Sequence, residues 1–198
     1  MLNKKLLIIV IGLVFSAIFL VIAFFSFSPR NIPSVSPNEN LIEPNQENAN
    51  KTLPIRLTIP KIGVDATIDP MGITPDGDME APAKGRNVGW FRFGSYPGET
   101  GSAVIAGHFG RWKNGDGSVF DDLNRLEAGD AVFVENTDGI TTEFVVRESR
   151  NYNPQADALD VFSSDDEISH INLITCEGIW DEASQSYDKR LVVFADKI

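Results

Sequence analysis

Between Ile55 and Ala195 the chain breaks into short β-branched and apolar runs, each closed by Gly, Pro, Asn or Asp, and this punctuation constrains the fold most. Ile55 to Pro60 and Val64 to Ile68 flank Lys61-Ile62-Gly63, and Ser102 to Ala106 is small and apolar. Ala131 to Glu135 and Thr141 to Arg147 are joined by Asn136-Thr137-Asp138-Gly139, a strong hairpin signal because Asp-Gly separates two alternating runs. Ile168 to Thr175 and Leu191 to Ala195 supply two more strands. Helical pattern is confined to Val119 to Leu126 and Pro154 to Val161. Many short strands with few helices predict an all-β fold, a closed or nearly closed barrel.

Ahead of this domain lies a segment of another kind. Leu6 to Phe27 is a run of 22 residues without a charge, against the roughly 20 that a helix needs to cross a bilayer core. Lys4 and Lys5 precede it and only Arg30 follows closely, so the positive charge places the N-terminus in the cytoplasm and the remainder outside. A cleavable signal peptide would carry an apolar region of about 7 to 15 residues ending in small residues. Here the exit is Phe24-Phe25-Ser26-Phe27-Ser28-Pro29. The expected organisation is a membrane anchor over residues 1–28, a flexible linker over 29–51 and one domain over 52–198. The linker is rich in Asn, Pro, Ser and Glu, cannot bury enough apolar surface to order itself, and would reach ~25 Å.

Only Glu39, Glu43 and Glu47 of the 28 acidic residues and Lys4, Lys5, Arg30 and Lys51 of the 17 basic ones precede Thr52. The domain therefore carries the whole negative excess, which repels phosphate backbones and argues against nucleic acid as a partner.

Cys176 is the single cysteine and ends the run Ile171-Asn172-Leu173-Ile174-Thr175-Cys176. An exported lone thiol has no disulfide partner within the chain and is open to oxidation, so nucleophilic catalysis is the leading explanation. Of the two histidines, His170 would lie about 20 Å from Cys176 along an extended strand and is set aside as its partner. His108 follows the strand Ala103-Val104-Ile105-Ala106-Gly107 where the chain enters a Gly-rich loop. Arg190 opens the last strand, and antiparallel pairing with the Cys176 strand would bring it to the thiol. Singly, each has a plainer reading: an inert small hydrophobe, a loop hydrogen-bonder, a solvated charge at a strand start. Together they make a nucleophile, a general acid/base and an oxyanion stabiliser.

Leu173-Ile174-Thr175-Cys176, Ala106-Gly107-His108 and Arg190 before an apolar final strand resemble the sortases, membrane-anchored cysteine transpeptidases of Gram-positive-type cell envelopes. Thr58-Ile59-Pro60-Lys61-Ile62, Gly89-Trp90, Val119-Phe120 and Gly129-Asp130 fit the same family. The resemblance implies an eight-stranded β-barrel in which the Cys176 thiolate attacks the threonine carbonyl of a sorting motif similar to Leu-Pro-x-Thr-Gly. His108 would act as general acid and then base, and Arg190 would hold the oxyanion or the substrate backbone. The thioester would pass to an amine of the cell wall or a pilin lysine, and no metal or cofactor is required. Ala106, Ile174 and Thr175 would contact the motif, and Trp180 and Tyr187, in an expected loop from Glu177 to Lys189, could cover it. Phe93 to Gly101 contains only Glu99, so the calcium site of some sortases is not expected. Asp121, Asp122, Asp165, Asp166 and Glu167 are expected as solvated loop charges. The anchor's N-terminal position, without a second C-terminal span, resembles class A, E or F sortases more than pilus-building ones. From the residues alone, a cell-wall cysteine hydrolase or acyltransferase and a tethered β-domain that only binds both stay open.

Overall fold

β1 (Pro54–Ile59) buries Leu57 and Ile59, and β2 (Val64–Met71) buries Val64, Ala66 and Ile68 while exposing Asp65 and Thr67. That two-residue period is what a strand shows when one face meets a core and the other meets water. The computed structural model containing these strands describes residues 52–113 and 115–198. Leu6 to Phe27 and the linker lie outside the described residues, among which no helix is long and apolar enough to cross a membrane.

Six further strands follow: β3 (Val88–Phe91), β4 (Gly101–Gly107), β5 (Ala131–Asn136), β6 (Thr141–Tyr152), β7 (Ser169–Asp181) and β8 (Ser186–Lys197). The eight close into one barrel in the order β1-β2-β3-β4-β7-β8-β6-β5. Closure removes the open edges that would otherwise invite pairing with other chains. β2 and β3 pair in parallel, as do β4 and β7. Parallel neighbours need long crossings, and Met79 between β2 and β3 and Ala158 and Val161 before β7 pack into an outer apolar cluster.

Leu57, Trp90, Ile105, Phe120, Leu173 and Val193 lie in the inner core. The outer faces of β4, β7 and β8 are covered too: Val104, Val192 and Phe194 pack with Val161 of a one-turn helix, α1 (Leu159–Phe162). Cover on both sides explains why Ser102 to Ala106 and Ile171 to Ile174 lack polar alternation. The β5–β6 hairpin turns at the expected residues. The Asn136 side-chain oxygen accepts from the amides of Asp138 at 3.1 Å and Ile140 at 2.9 Å.

Four expectations are corrected. From Val119 to Leu126 only a 3-10 turn forms, Leu123–Arg125, because the amides of Leu123, Arg125 and Leu126 bond three residues back, to the carbonyls of Phe120, Asp122 and Leu123. From Pro154 to Val161 helix appears only at α1; the Asn153 side chain accepts from the Gln155 amide at 2.9 Å and turns the chain instead. Cys176 does not end its strand and Arg190 does not open one, since β7 continues to Asp181 and β8 begins at Ser186. The expected loop from Glu177 to Lys189 is therefore a projecting hairpin, in which Trp180 opposes Tyr187 beyond a bulge at Gly178.

Candidate active site

Side chains alternate between the two faces of a strand, so burial partners on β7 assign a face to each residue. Ile171 and Leu173 belong to the inner core, and Ile174 packs against the outer cluster. Cys176, two residues beyond Ile174, falls on the outer face. On β8, Leu191 and Val193 point inward and Val192 outward, which puts Arg190 outside. Val104 and Ala106 of β4 carry the same face to His108. Three strands adjacent in the barrel thus present Cys176, Arg190 and His108 on one side.

Register brings them level. Cys176 and Arg190 are direct partners in the β7–β8 ladder, and Ala106 is the partner of Ile174 in the β4–β7 ladder, two residues short of His108 and Cys176. The Thr175 hydroxyl donates to the Gly107 carbonyl at 2.8 Å. That bond fastens the end of β4 to β7 at the residue before His108 and the residue before Cys176.

The His108 Nε2 lies 2.7 Å from the Pro82 carbonyl oxygen. A carbonyl only accepts, so the Nε2 carries the proton and donates. Trp112 packs on the imidazole with ring centroids 4.5 Å apart. The Arg190 guanidinium donates to the carbonyls of Tyr187 at 3.1 Å and Lys189 at 3.0 Å and to the Ser186 hydroxyl at 3.0 Å. Among the described residues no carboxylate pairs with it, so its charge acts on whatever enters beside it. The half-buried Cys176 thiol is pushed up from its ordinary value by burial, while the Arg190 charge pulls it down by less. At neutral pH the resting thiol is protonated, and turnover requires its proton to leave.

His108, Thr175, Cys176 and Arg190 line a cavity of about 660 Å³. Ala106, Ile174 and Val192 add apolar surface to it, Met79 to Pro82 border it on the β2–β3 crossing, and Tyr152 to Ala158 border it after β6. An extended peptide would find an apolar groove here with a thiol, an imidazole and a guanidinium at one place. Ala106, Ile174 and Thr175 face this cavity; Trp180 and Tyr187 do not line it. The Tyr187 ring instead stacks edge-on to both Phe109 and Trp180, with centroids 5.2 Å apart in each pair.

His170 is buried at the far end of β7, its Nδ1 2.7 Å from Asp196 and its Nε2 2.7 Å from Asp166. Asp166 is thereby a partner rather than a solvated charge, and Asp121 accepts from the Gly110 and Ser118 amides at 2.7 and 2.9 Å. Sequence reasoning missed Pro82 and Trp112. A backbone carbonyl leaves no residue-type signal, and Trp112, four residues past His108, had only its closeness in sequence to mark it.

A closed β-barrel with a thiol, an imidazole and an unpaired guanidinium beside one groove is equipped for acyl transfer through a cysteine. The Sortase domain family model matches residues 57–198, and the chain belongs to the sortase family. Sortases are cysteine transpeptidases, generally membrane-associated and extracellular, that act on proteins with sorting signals and on pilins. No curated protein matches the sequence. Among solved structures, sortase C-1 of Actinomyces oris is similar with 24% identity and a TM-score of 0.58, covering 72% of each chain. Sortase C-1 of Streptococcus pneumoniae has 23% identity and a TM-score of 0.57 over 73% of this chain and 66% of the other. A Clostridium perfringens sortase D5 transpeptidase has 25% identity and a TM-score of 0.53, over 73% and 79%. Likeness at this identity carries the fold, not the subclass.

Proposed function

We propose that this protein is an extracytoplasmic cysteine transpeptidase that cleaves a C-terminal sorting motif of the Leu-Pro-x-Thr-Gly kind between Thr and Gly. It transfers the new carboxyl end to an amine of the cell envelope. Residues 1–28 anchor the protein with the N-terminus in the cytoplasm, 29–51 tether it, and 52–198 do the chemistry. The observation that carries this reading is the convergence of Cys176, His108 and Arg190 on one groove with apolar lining.

Cys176 passes its proton to His108 as substrate binds, and the resulting thiolate attacks the threonine carbonyl. The thiolate forms the carbon–sulfur bond and the carbonyl electrons move to oxygen, where Arg190 meets the developing charge. His108 protonates the glycine amine as the carbon–nitrogen bond breaks, leaving a thioester on Cys176. The incoming amine attacks that thioester, His108 takes its proton, and the thiolate leaves. Ala106 and Ile174 give the motif an apolar seat.

The test is to incubate the full-length protein in detergent with a sorting-motif peptide and an amine and to follow products by mass spectrometry. A ligated product that disappears with Cys176→Ala is expected. Hydrolysed peptide alone would overturn transpeptidation while sparing the thiol chemistry, and no cleavage at all would overturn both.

A further inference from the structure

His108 sits between two groups that are not its chemical partners, the Pro82 carbonyl on Nε2 and the Trp112 ring on its face. Trp112 is itself held. Its amide donates to the Asp116 carbonyl and its carbonyl accepts from the Gly115 amide, both at 2.8 Å, and Arg111 bridges to Gly117. Gly85 makes room for the indole, since a Cβ there would lie 2.6 Å from the ring. The indole is therefore packed against the Gly85 backbone as well as against the imidazole.

The neck of this excursion is closed by a carboxylate and a hydroxyl. Asp121 Oδ1 accepts from the Gly110 amide at 2.7 Å and Oδ2 from the Ser118 amide at 2.9 Å, while the Ser118 hydroxyl donates to the Gly110 carbonyl at 2.6 Å. A Cβ at Gly117 would come within 2.6 Å of Asp121 Oδ2, so the chain passes close over the carboxylate. Next to it, the Phe120 amide donates to the His108 carbonyl at 3.0 Å. Asp121 thus ties both ends of the loop that carries Trp112, beside the backbone of the histidine that Trp112 covers.

We propose that Asp121 is a positioning residue for His108, acting through Trp112. The carboxylate closes the loop neck, the closed loop holds the indole on the imidazole, and the indole with the Pro82 carbonyl fixes the ring. Nε2 keeps its proton, and Nδ1 is the nitrogen that exchanges protons with thiol and substrate. Among the described residues no acid or amide side chain bonds the general acid/base, and it thereby obtains the orienting third group that nucleophile and base pairs require. This inference rests on the reading of His108 as general acid/base.

The test compares full-length wild type with Asp121→Asn, Trp112→Ala and Trp112→Phe, using transpeptidation kinetics and imidazole nitrogen NMR. The chain's two histidines make the spectrum assignable with a His108→Ala control. Asp121→Asn keeps the side chain's size but replaces one acceptor oxygen with a donor facing an amide. The expected result is a kcat lower by about 10-fold, the scale of a small misplacement of a reacting group, with KM within about two-fold. The wild-type Nε2–H tautomer signal should become a mixture in Asp121→Asn and Trp112→Ala and persist in Trp112→Phe. Unchanged tautomer signals and kcat in Asp121→Asn would overturn the proposal, as would a loss confined to KM. Should Asp121→Asn fail to fold, Trp112→Ala decides by the same two readouts. If His108→Ala keeps the wild-type rate, the acid/base reading fails on its own, and the tautomer signals still judge the orientation claim.

Discussion

Thr175→Val tests whether the site depends on how β4 is fastened to β7. The substitution keeps the side chain's shape and removes only the hydroxyl that donates to the Gly107 carbonyl at 2.8 Å. Thr175 is 3% exposed, so little water can replace the lost donor. A hydrogen bond of this kind contributes roughly 0.5–1.5 kcal/mol, and stranding part of a carbonyl's bonding capacity raises the cost to about 1–2 kcal/mol. For a domain of this size that lowers Tm by about 3–8 °C. The kinetic effect should be larger in proportion, because the bond stands one residue before both His108 and Cys176. A misplacement of about 1 Å between reacting groups costs up to ~100-fold, so kcat/KM should fall about 10- to 100-fold. Thr175→Ser keeps the donor and should stay within a few-fold of wild type. Calorimetry together with transpeptidation kinetics makes the measurement. A valine variant with wild-type Tm and wild-type kcat/KM would refute the reasoning. Raised KM at unchanged Tm would mean that the hydroxyl serves the substrate and not the strand junction.

Gly107→Ala places a Cβ 2.3–2.8 Å from three carbons of the fully buried Phe120 ring, an overpacking that costs roughly 1–3 kcal/mol. A urea midpoint equal to wild type would contradict it. The thiol of Cys176 is raised by burial more than Arg190 lowers it, so alkylation by iodoacetamide should accelerate through a pH range above the ordinary thiol value of about 8.5. Arg190→Met should move that range higher, and a midpoint below 8 in wild type would refute the assignment. His170 is 4% exposed with both ring nitrogens on carboxylates; His170→Gln should cost roughly 1–3 kcal/mol, with kcat preserved well below Tm. Its bond holds the Asp166 carboxyl below the usual range, a contribution present above the unfolded value of about 3.9 and lost as pH falls through the lower folded value. The stability gap between wild type and His170→Gln should therefore narrow in acid, and a gap that widens there would contradict the pairing.

How much of this was legible in the sequence depended on whether one residue's neighbours or a distant segment decides the outcome. Seven strands announce themselves through their own apolar runs, whereas β3 is four residues, Val88–Phe91, too short for a period to show. The extra length of β6, from Glu148 to Tyr152, hides among charged residues. There Arg150 bonds Glu148 and lies over the Phe194 ring at 4.9 Å, so polar side chains cover the sheet. Cys176, His108 and Arg190 could be found because nucleophile, acid/base and cation are residue types with chemistry of their own, and strand parity is simple arithmetic. Pro82, Trp112 and Asp121 could not, since their roles exist only through contacts across the crossing from Gly72 to Asn87 and the loop after His108.

Placement on the outer face has a consequence for specificity. The barrel interior is filled by Leu57, Ile105, Leu173 and Val193, so no peptide can enter it, and the reacting groups must be screened from water by something other than the barrel. The screen is made by the chain bordering the cavity, Met79 to Pro82 on one stretch and Tyr152 to Ala158 on the other. They line the same cavity as the Cys176 thiol, which burial raises against the opposing Arg190 charge. A bound peptide would complete the screen, lower the local dielectric and strengthen every charge–charge term within it. It adds to the desolvation that raises the thiol and strengthens the opposing pull of the nearby Arg190 alike. Substitutions in the bordering segments should therefore alter which peptide is accepted and the resting protonation of Cys176 together. Substitutions in the barrel interior should instead change stability first.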